Sequence, residues 1–84
     1  MLLSFRESVL GPLERWDRDH DAELVDTVRA FLANDGKWRV TAAQLHIHHN
    51  TLRYRIGRVA ALSGRDAETT GGRVDFALAL AIAN

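Results

Sequence analysis

Basic side chains are concentrated in one stretch of the chain, from Gly36 to Arg65. This stretch carries +6 and has no Asp or Glu, whereas the rest of the chain carries −6. Its basic residues are Lys37, Arg39, Arg53, Arg55, Arg58 and Arg65, and His46, His48 and His49 lie among them. Such segregation is typical of a surface that binds a polyanion. A solvated basic face beside acidic neighbours is the alternative, and charge alone does not decide between them.

Four apolar residues recur at helical spacing within the segment 49–62, namely Leu52, Ile56, Val59 and Leu62. At about 100° per residue they form one stripe that faces a core. The opposite face, with its flanks, carries an amide, a hydroxyl, a phenol and cations, but no acid. These residues are Asn50, Thr51, Arg53, Tyr54, Gly57, Arg58 and Ala61, while Arg55 lies nearer the core edge. Such groups suit base edges and phosphates in a major groove.

A short helix over about 38–45 is predicted before this one. Ala42 and Ala43 are small enough for another helix to cross closely, and the chain must turn sharply at His46. The pattern predicts a helix-turn-helix over about 36–62, with its second helix, about 49–62, in the major groove. Eight residues of this unit are predicted to be core: Ala42, Ala43, Leu45, Ile47, Leu52, Ile56, Val59 and Leu62.

The remaining sequence also indicates helices. Pro12 predicts a break between a short first helix and a second that runs to about His20. Asp21 is a suitable N-cap for a helix with an apolar stripe from Leu24 to Leu32, and Gly36 is a suitable left-handed cap after it. A last helix over about 72–83 is apolar on nearly every side, so it is either buried or paired with another surface.

The fold class predicted is therefore all-α: a compact bundle of about five to six helices in one domain, residues 1–84. Its 84 residues are 46% hydrophobic and 26% charged, which is a globular composition. Cysteine is absent, so disulfides and thiolate metal sites are excluded. No apolar run reaches the length of a membrane span, and we expect a cytoplasmic, nucleoid-associated protein with no membrane partner.

Catalytic and metal chemistry find little support in the sequence. We see no Ser/His/Asp arrangement, phosphate loop or paired carboxylates, so we expect no enzyme activity. The adjacent His48 and His49 point apart at a helix start, and no nearby acid completes a site with His46. We expect no metal and no cofactor.

The segment from Thr41 to Ile56 reads TAAQLHIHHNTLRYRI and is followed by Arg58 and by LSGRD, which ends at Asp66. It resembles the C-terminal helix-turn-helix of PucR/CdaR-type bacterial transcription regulators over roughly residues 10–83. The second helix is also similar to Fis-type helix-turn-helix proteins. The resemblance implies a transcription regulator whose effector is bound by domains outside this chain. It also implies that the chain is the C-terminal part of a larger protein that binds DNA as a homodimer or higher oligomer.

Three residues depart from the family pattern. The family usually has Arg where His49 stands, so full charge at that position requires acid pH. We hypothesise that affinity for DNA rises as pH falls from about 8 to 6. Lys37 and Trp38 stand where the family favours Asn and Val. This costs the following helix a good N-cap and places a large ring at a position usually filled by a smaller core residue.

These patterns together predict double-stranded DNA as the partner. We expect His48, His49, Asn50, Thr51 and Arg53 to approach bases and flanking phosphates. We expect Lys37, Arg39, Tyr54, Arg55 and Arg58 to position the domain on phosphates. Several alternatives stay open: Asn50 or His48 could cap the helix, Tyr54 could stack inward, and one of the two later arginines could pair with an acid. The alternative function is a protein-interaction or dimerisation module that uses the apolar C-terminal helix.

Overall fold

The computed structural model describes residues 1–82 and contains five α-helices and no strand within them. The helices are α1 (Leu2–His20), α2 (Leu24–Ala33), α3 (Trp38–Leu45), α4 (His49–Ser63) and α5 (Thr70–Ala81). The predicted all-α bundle is confirmed. Among these helices α2 is central, because it contacts each of the other four, whereas α3 rests only on α2 and α4.

The prediction of a helix break at Pro12 is wrong, because α1 runs through it without interruption. Proline in a helix interior forfeits a backbone hydrogen bond and costs about 3 kcal/mol. Packing offsets this cost: Val9, Leu10 and Leu13, on both sides of Pro12, are at most 1% exposed. Ion pairs from Arg6 to Glu14 and from Arg15 to Glu7 also span the proline.

The junction between α1 and α2 is capped by a different acid from the one predicted. Asp21 does not cap α2; it ends α1 in the left-handed conformation, at φ 49°, and lies too early in the chain to be the N-cap. Asp17 of α1 performs the capping instead. Its carboxylate accepts hydrogen bonds from the backbone N–H groups of Leu24, at 2.8 Å, and Val25, at 3.1 Å. The first turn of α2 therefore depends on a side chain of the preceding helix.

The core is built around two aromatic rings, Phe31 of α2 and Phe76 of α5, both 0% exposed. The other large side chains that are fully or almost fully buried come from α1, α2 and α4: Val9, Leu10, Leu13, Leu24, Val28, Leu52 and Val59. Every helix but the short α3 thus contributes a large buried side chain, and α3 adds Thr41 and Ala42.

Gly36 confirms the predicted left-handed residue after α2, with φ 72°, and it follows Asp35 at φ 54°. Its N–H donates to the carbonyl of Phe31 at 2.8 Å, which closes the end of the helix. The guanidinium of Arg73, from α5, lies where a Cβ on Gly36 would stand. Glycine is favoured here by the backbone angle, since the end of the Arg73 side chain could move aside for a Cβ.

The last helix begins at Thr70, two residues earlier than predicted, because the Thr69 hydroxyl accepts a hydrogen bond from the Gly72 N–H at 3.0 Å. The predicted end, Ala83, lies outside the described residues. α5 buries Phe76 and Ala79, whereas Val74 and Leu78 are about half exposed. The helix is thus buried on one side and leaves an apolar face open on the other.

Candidate nucleic-acid interface

The turn between α3 and α4 has the geometry predicted from the sequence. His46 adopts the left-handed conformation at φ 57°, and the N–H of Ile47 donates to the carbonyl of Ala42 at 3.1 Å. Lys37 occupies the N-cap of α3 without a side-chain capping bond, as its replacement of Asn predicts. The predicted short helix Trp38–Leu45 and the sharp turn after it are both confirmed.

The inner face of α3 is made by residues at helical spacing: Trp38, Thr41, Ala42 and Leu45, which are buried or packed against the core. The prediction that Ala43 is core is wrong, because it is exposed. Thr41 and Ala42 already occupy the inner side, and Ala43 lies about 100° further around the helix, on its exposed side. Thr41 is 0% exposed, and its hydroxyl donates to the Lys37 carbonyl at 2.7 Å.

The predicted inner stripe of α4 is confirmed. Leu52, Ile56 and Val59 are at most 2% exposed, and Leu62 is half-buried against the core. The helix ends at Ser63, followed by Gly64 in the left-handed conformation. With this face turned to the core, the opposite face of α4 is left to solvent.

His48 caps the N-terminus of α4. Its Nδ1 accepts a hydrogen bond from the Asn50 N–H at 3.0 Å, and its backbone is extended. Of the two capping alternatives left open by the sequence, the structure selects His48. The amide of Asn50 is therefore not used as the cap, and this residue is exposed.

The exposed residues of the two helices form what we call the basic surface. It consists of Lys37, Arg39 and Val40 from the start of α3, and of His49, Asn50, Thr51, Arg53, Tyr54 and Gly57 from α4. None of these residues is acidic, and Tyr54 is 57% exposed rather than stacked into the core. The surface therefore offers hydrogen-bond donors and positive charge to a polyanion.

Trp38, His49 and Arg53 are in contact on the basic surface. The Trp38 and His49 ring centroids are 5.9 Å apart with planes at 61°, and the Arg53 Cζ lies 5.7 Å from the Trp38 centroid. Arg53 Nη2 is 3.1 Å from His49 Nε2. On its other side, the Trp38 ring packs edge-on against Phe31 of the core, with a centroid separation of 5.0 Å.

Arg55 and Arg58 are half-buried, and Arg58 lies at the edge of the basic surface beside Tyr54. Arg55 donates to the Thr27 hydroxyl of α2 at 3.2 Å. The Arg58 Cζ lies 4.6 Å from the Trp16 ring centroid of α1, and its Nη2 donates to the Tyr54 hydroxyl at 3.2 Å. Both guanidinium groups therefore help to attach α4 to neighbouring helices.

Arg65, the last member of the basic stretch, is also engaged within the fold. Its Nε lies 3.1 Å from a carboxylate oxygen of Asp75 on α5, and its Cζ is near the Phe5 ring. The charge of +6 that the sequence places between Gly36 and Arg65 is thus divided. Lys37, Arg39 and Arg53 are exposed, whereas the other three cations are half-buried.

Sequence reasoning missed three features of this region. The first is that Trp38, which the sequence suggests is a packing residue, also contacts His49 and Arg53. The spacing of four residues between His49 and Arg53 places them on one side of α4 and could have indicated their contact with each other. Val40 is 51% exposed beside Arg39, and Asn34 of α2 donates to the Gln44 side chain of α3 at 2.7 Å. Neither has a distinctive sequence pattern.

Within residues 1–82 no three His, Cys, Asp or Glu side chains are grouped so that they could hold a metal ion. Over the same residues no helix has both the length and the apolar character needed to cross a membrane.

The PucR C-terminal helix-turn-helix domain family matches residues 24–82, that is, α2 to α5 and the connections between them. The chain belongs to this family. The resemblance seen in the sequence is thereby confirmed, and the chain is a DNA-binding domain of the transcription-regulator type. The matched residues include α3 and α4, the two helices predicted to form the helix-turn-helix.

Several characterised regulators are similar to the chain. The transcriptional activator PmfR of Paenarthrobacter nicotinovorans is 46% identical over 73 residues, which are 87% of this chain and 15% of PmfR. The DNA-binding transcriptional activator AdeR of Bacillus subtilis is 37% identical over 57 residues, 68% of this chain and 14% of AdeR. The proline-responsive transcriptional activator PutR of the same species is 34% identical over 64 residues, 76% of this chain and 16% of PutR. The match therefore spans about 15% of the length of these relatives. No solved structure matches the chain.

Proposed function

We propose that this PucR-type domain binds double-stranded DNA in a sequence-specific manner by inserting the N-terminal half of α4 into the major groove. The observation that carries this proposal is the basic surface, where an acid-free set of donors covers the outer face of α4 while its inner face is buried. A major groove admits one such helix. In this arrangement α3 crosses above α4 and rests against the DNA backbone.

The roles of the side chains follow from their exposure. Asn50, Thr51 and Arg53, in the first one and a half turns of α4, approach base edges, because amide and guanidinium groups form paired hydrogen bonds with adenine and guanine. His48 and His49, at the start of the helix, approach bases and flanking phosphates. Lys37, Arg39 and Tyr54 contact phosphates, which fix the register without reading sequence.

Arg55 and Arg58 take a more indirect part. Each guanidinium has one described hydrogen-bond partner within the fold, Thr27 for Arg55 and Tyr54 for Arg58. Because Arg58 Nε is buried, we propose that the Nη groups of the two arginines meet phosphates at the edges of the site, so that both side chains anchor α4 and contribute to affinity. Neither is proposed to read bases.

The domain acts, in this proposal, within a longer regulator. The relatives are activators of which the matched segment is about 15%, so an effector would be bound outside this chain. A single α4 reads only a few base pairs. Useful specificity therefore needs two copies on half-sites about one helical turn apart, as a homodimer or higher oligomer.

Selection from a randomised duplex pool tests the proposal. The domain is bound to the pool through several rounds, and its affinity for the selected and the random duplexes is measured by fluorescence anisotropy at two salt concentrations. We expect one motif to be enriched and the affinity to fall steeply with salt. Salt-sensitive binding without enrichment would contradict sequence reading by this domain, and absence of binding would contradict the proposal altogether.

A second candidate function is self-association through the apolar face of α5. Val74 and Leu78 are 50% and 55% exposed, and Leu2 and Leu3 at the start of α1 are 70% and 64% exposed. Burial of such side chains against a second copy would be favourable, at about 25 cal/mol per Å². Sedimentation equilibrium of the wild type and of Leu78→Glu tests it: a dimer that the substitution dissociates supports self-association, and a monomeric wild type contradicts it.

A further inference from the structure

We propose that Trp38 and His49 act as positioning residues for Arg53 and hold its guanidinium in the pose in which it meets a base. This inference rests on the proposed function, in which Arg53 reads sequence. It concerns the specificity of binding rather than its existence.

The contacts form a continuous path from the core to the surface. Phe31 is 0% exposed, the Trp38 ring packs edge-on against it, and the His49 ring packs in turn against Trp38. Arg53 is exposed, yet its guanidinium lies 5.7 Å from the Trp38 centroid, within the range of a cation–π contact, and 3.1 Å from His49 Nε2. An exposed arginine is thereby connected to the core through two rings.

Such a connection matters because an arginine that is free in solution must be ordered when it binds. This ordering restricts the rotamers of the side chain and so lowers the affinity for the correct site. An arginine that is already held in its bound pose does not incur this cost. The contact with His49 uses one hydrogen of Nη2 and leaves Nη1 free to donate, so a restrained Arg53 retains donors for guanine O6 and N7. Contacts with phosphate depend less on this pose than contacts with bases do, because they require a positive charge more than a particular orientation of the guanidinium.

The hydrogen bond also fixes the protonation state in which the arrangement exists. Arginine has only donors, so His49 Nε2 must accept, and the imidazole must be neutral with its proton on Nδ1. The groups packed against His49 are Arg53 from α4 and Trp38 from α3; within residues 1–82 no carboxylate forms an ion pair with His49 or Arg53. A second proton on the ring removes the acceptor and places two cations together, which releases Arg53.

Protonation of His49 therefore has two opposite effects. The added charge strengthens attraction to any duplex, in line with the rise in affinity between about pH 8 and 6 hypothesised from the sequence. The release of Arg53 weakens discrimination between sites. We expect the ratio of affinities for selected and random duplexes to fall as the pH is lowered, even while the affinity for random duplex rises.

The test measures this ratio for the wild-type chain and five variants, with a duplex selected by the wild type at pH 8. We expect Trp38→Val and His49→Ala to lower the ratio by about three- to tenfold, the range set by ordering one flexible side chain. Trp38→Phe keeps an aromatic face and His49→Gln keeps an acceptor, so both should recover part of the ratio. His49→Gln should also remove the part of the pH dependence that comes from His49, while the His48 cap of α4 stays in place. Lys37→Ala, at an exposed residue with no contact to Arg53 in the structure, should weaken both duplexes alike.

A second measurement needs no DNA. The ¹⁵N–¹H heteronuclear NOE of the Arg53 Nε–H group should be high in the wild type at pH 8 and should fall in His49→Ala, an exposed substitution that leaves the core intact. An equally low NOE in the wild type and in His49→Ala would overturn this inference but not the proposed function. An unchanged ratio of affinities for selected and random duplexes in His49→Ala would do the same. A wild type that selects no sequence would overturn the proposed function and, with it, the role of the two residues in reading DNA.

Discussion

Gly57 lies in the middle of α4, where a Cβ would meet no atom within 4 Å. The fold therefore gives no steric reason for glycine at this position of the basic surface. Gly72 is different, because a Cβ there would collide with the backbone carbonyl of Asp66. The two residues have the same side chain, yet their surroundings predict opposite effects of adding a methyl group.

We predict that Gly57→Ala raises the free energy of unfolding by about 1 kcal/mol, since glycine is that much worse than alanine in a helix interior. Gly72→Ala is the matched control and should lower it, because the start of α5 must move away from Asp66. Urea denaturation followed by circular dichroism measures both changes. A destabilised Gly57→Ala would contradict the open environment described for this residue.

Arg53 and Arg39 are both exposed cations of the basic surface, but they differ in proposed role. Arg53→Ala should lose discrimination between selected and random duplexes by about 1–3 kcal/mol, the value of one bidentate base contact. Arg39→Ala should weaken both duplexes similarly, because a phosphate contact carries no sequence information. Anisotropy titrations at constant salt separate the two cases, and equal losses on both duplexes for Arg53→Ala would reject its role as a base reader.

Arg58 combines a structural role with the proposed phosphate contact. Its guanidinium covers the Trp16 ring and donates to Tyr54. Arg58→Ala should therefore lower the free energy of unfolding by about 1 kcal/mol, the value of a cation–π contact, and weaken selected and random duplexes alike. Thermal melts and anisotropy titrations of the same preparation measure the two effects, and an unchanged melting temperature would contradict the packing role.

At the scale of the helices, the sequence predicts α3 and α4 well because their periodicity and the turn between them agree with one another. The inner stripe from Leu52 to Val59 and the left-handed residue at Gly36 needed only local rules. The predictions at Pro12 and Asp21 failed because tertiary contacts decide these positions. Burial on both sides of Pro12 keeps α1 continuous, and the carboxylate of Asp17 reaches across the junction to α2.

In the candidate site, too, the features set by local geometry were predictable, and those set by contacts between helices were not. Exposure of Asn50, Thr51 and Arg53 follows from helical geometry, so it was predicted correctly. The positions of Arg55 and Arg58 against α2 and α1 could not be inferred, because they depend on how distant helices pack. The contact between Trp38 and Arg53 joins two helices and is equally invisible in a local pattern.

The cap at the junction of α1 and α2 leads to a prediction at this scale. Asp17→Ala removes the acceptor for two backbone N–H groups and should lower the free energy of unfolding by about 0.5–2 kcal/mol. Asp21→Gly is the control: it should leave the stability equal or higher, because glycine adopts the left-handed conformation without steric cost. Thermal melts of the two variants provide the comparison, and equal melting temperatures for Asp17→Ala and the wild type would contradict the assigned cap.

The net charge of the whole molecule is zero, but its distribution is not uniform. The exposed cations Lys37 and Arg39 lie at the start of α3, whereas α1 carries most of its charged side chains in ion pairs or at the α2 junction. An acidic remainder repels DNA from the other faces. The molecule should therefore approach DNA in one orientation, with long-range attraction confined to the α3–α4 side.

The dependence of binding on salt measures how many phosphates are contacted. Each contact contributes a slope of about 0.9 in a plot of log K against log salt concentration. The double variant Lys37→Ala/Arg39→Ala should therefore reduce the slope by about two, while Thr51→Ala, which removes no charge, should leave it unchanged. A slope that does not respond to the double variant would place these two cations away from the phosphates.

The family match begins at residue 24, at the start of α2. The hydrophobic core, by contrast, also includes residues of α1. Val9, Leu10 and Leu13 of α1 are buried in it, and Asp17 holds the first turn of α2. A segment cut at the family boundary would keep both helices of the helix-turn-helix and lose α1, against which α2, α4 and α5 are packed. The unit that folds is thus larger than the segment that the family match covers, and the amides of α1 and α4 should exchange with solvent together, in a single cooperative opening.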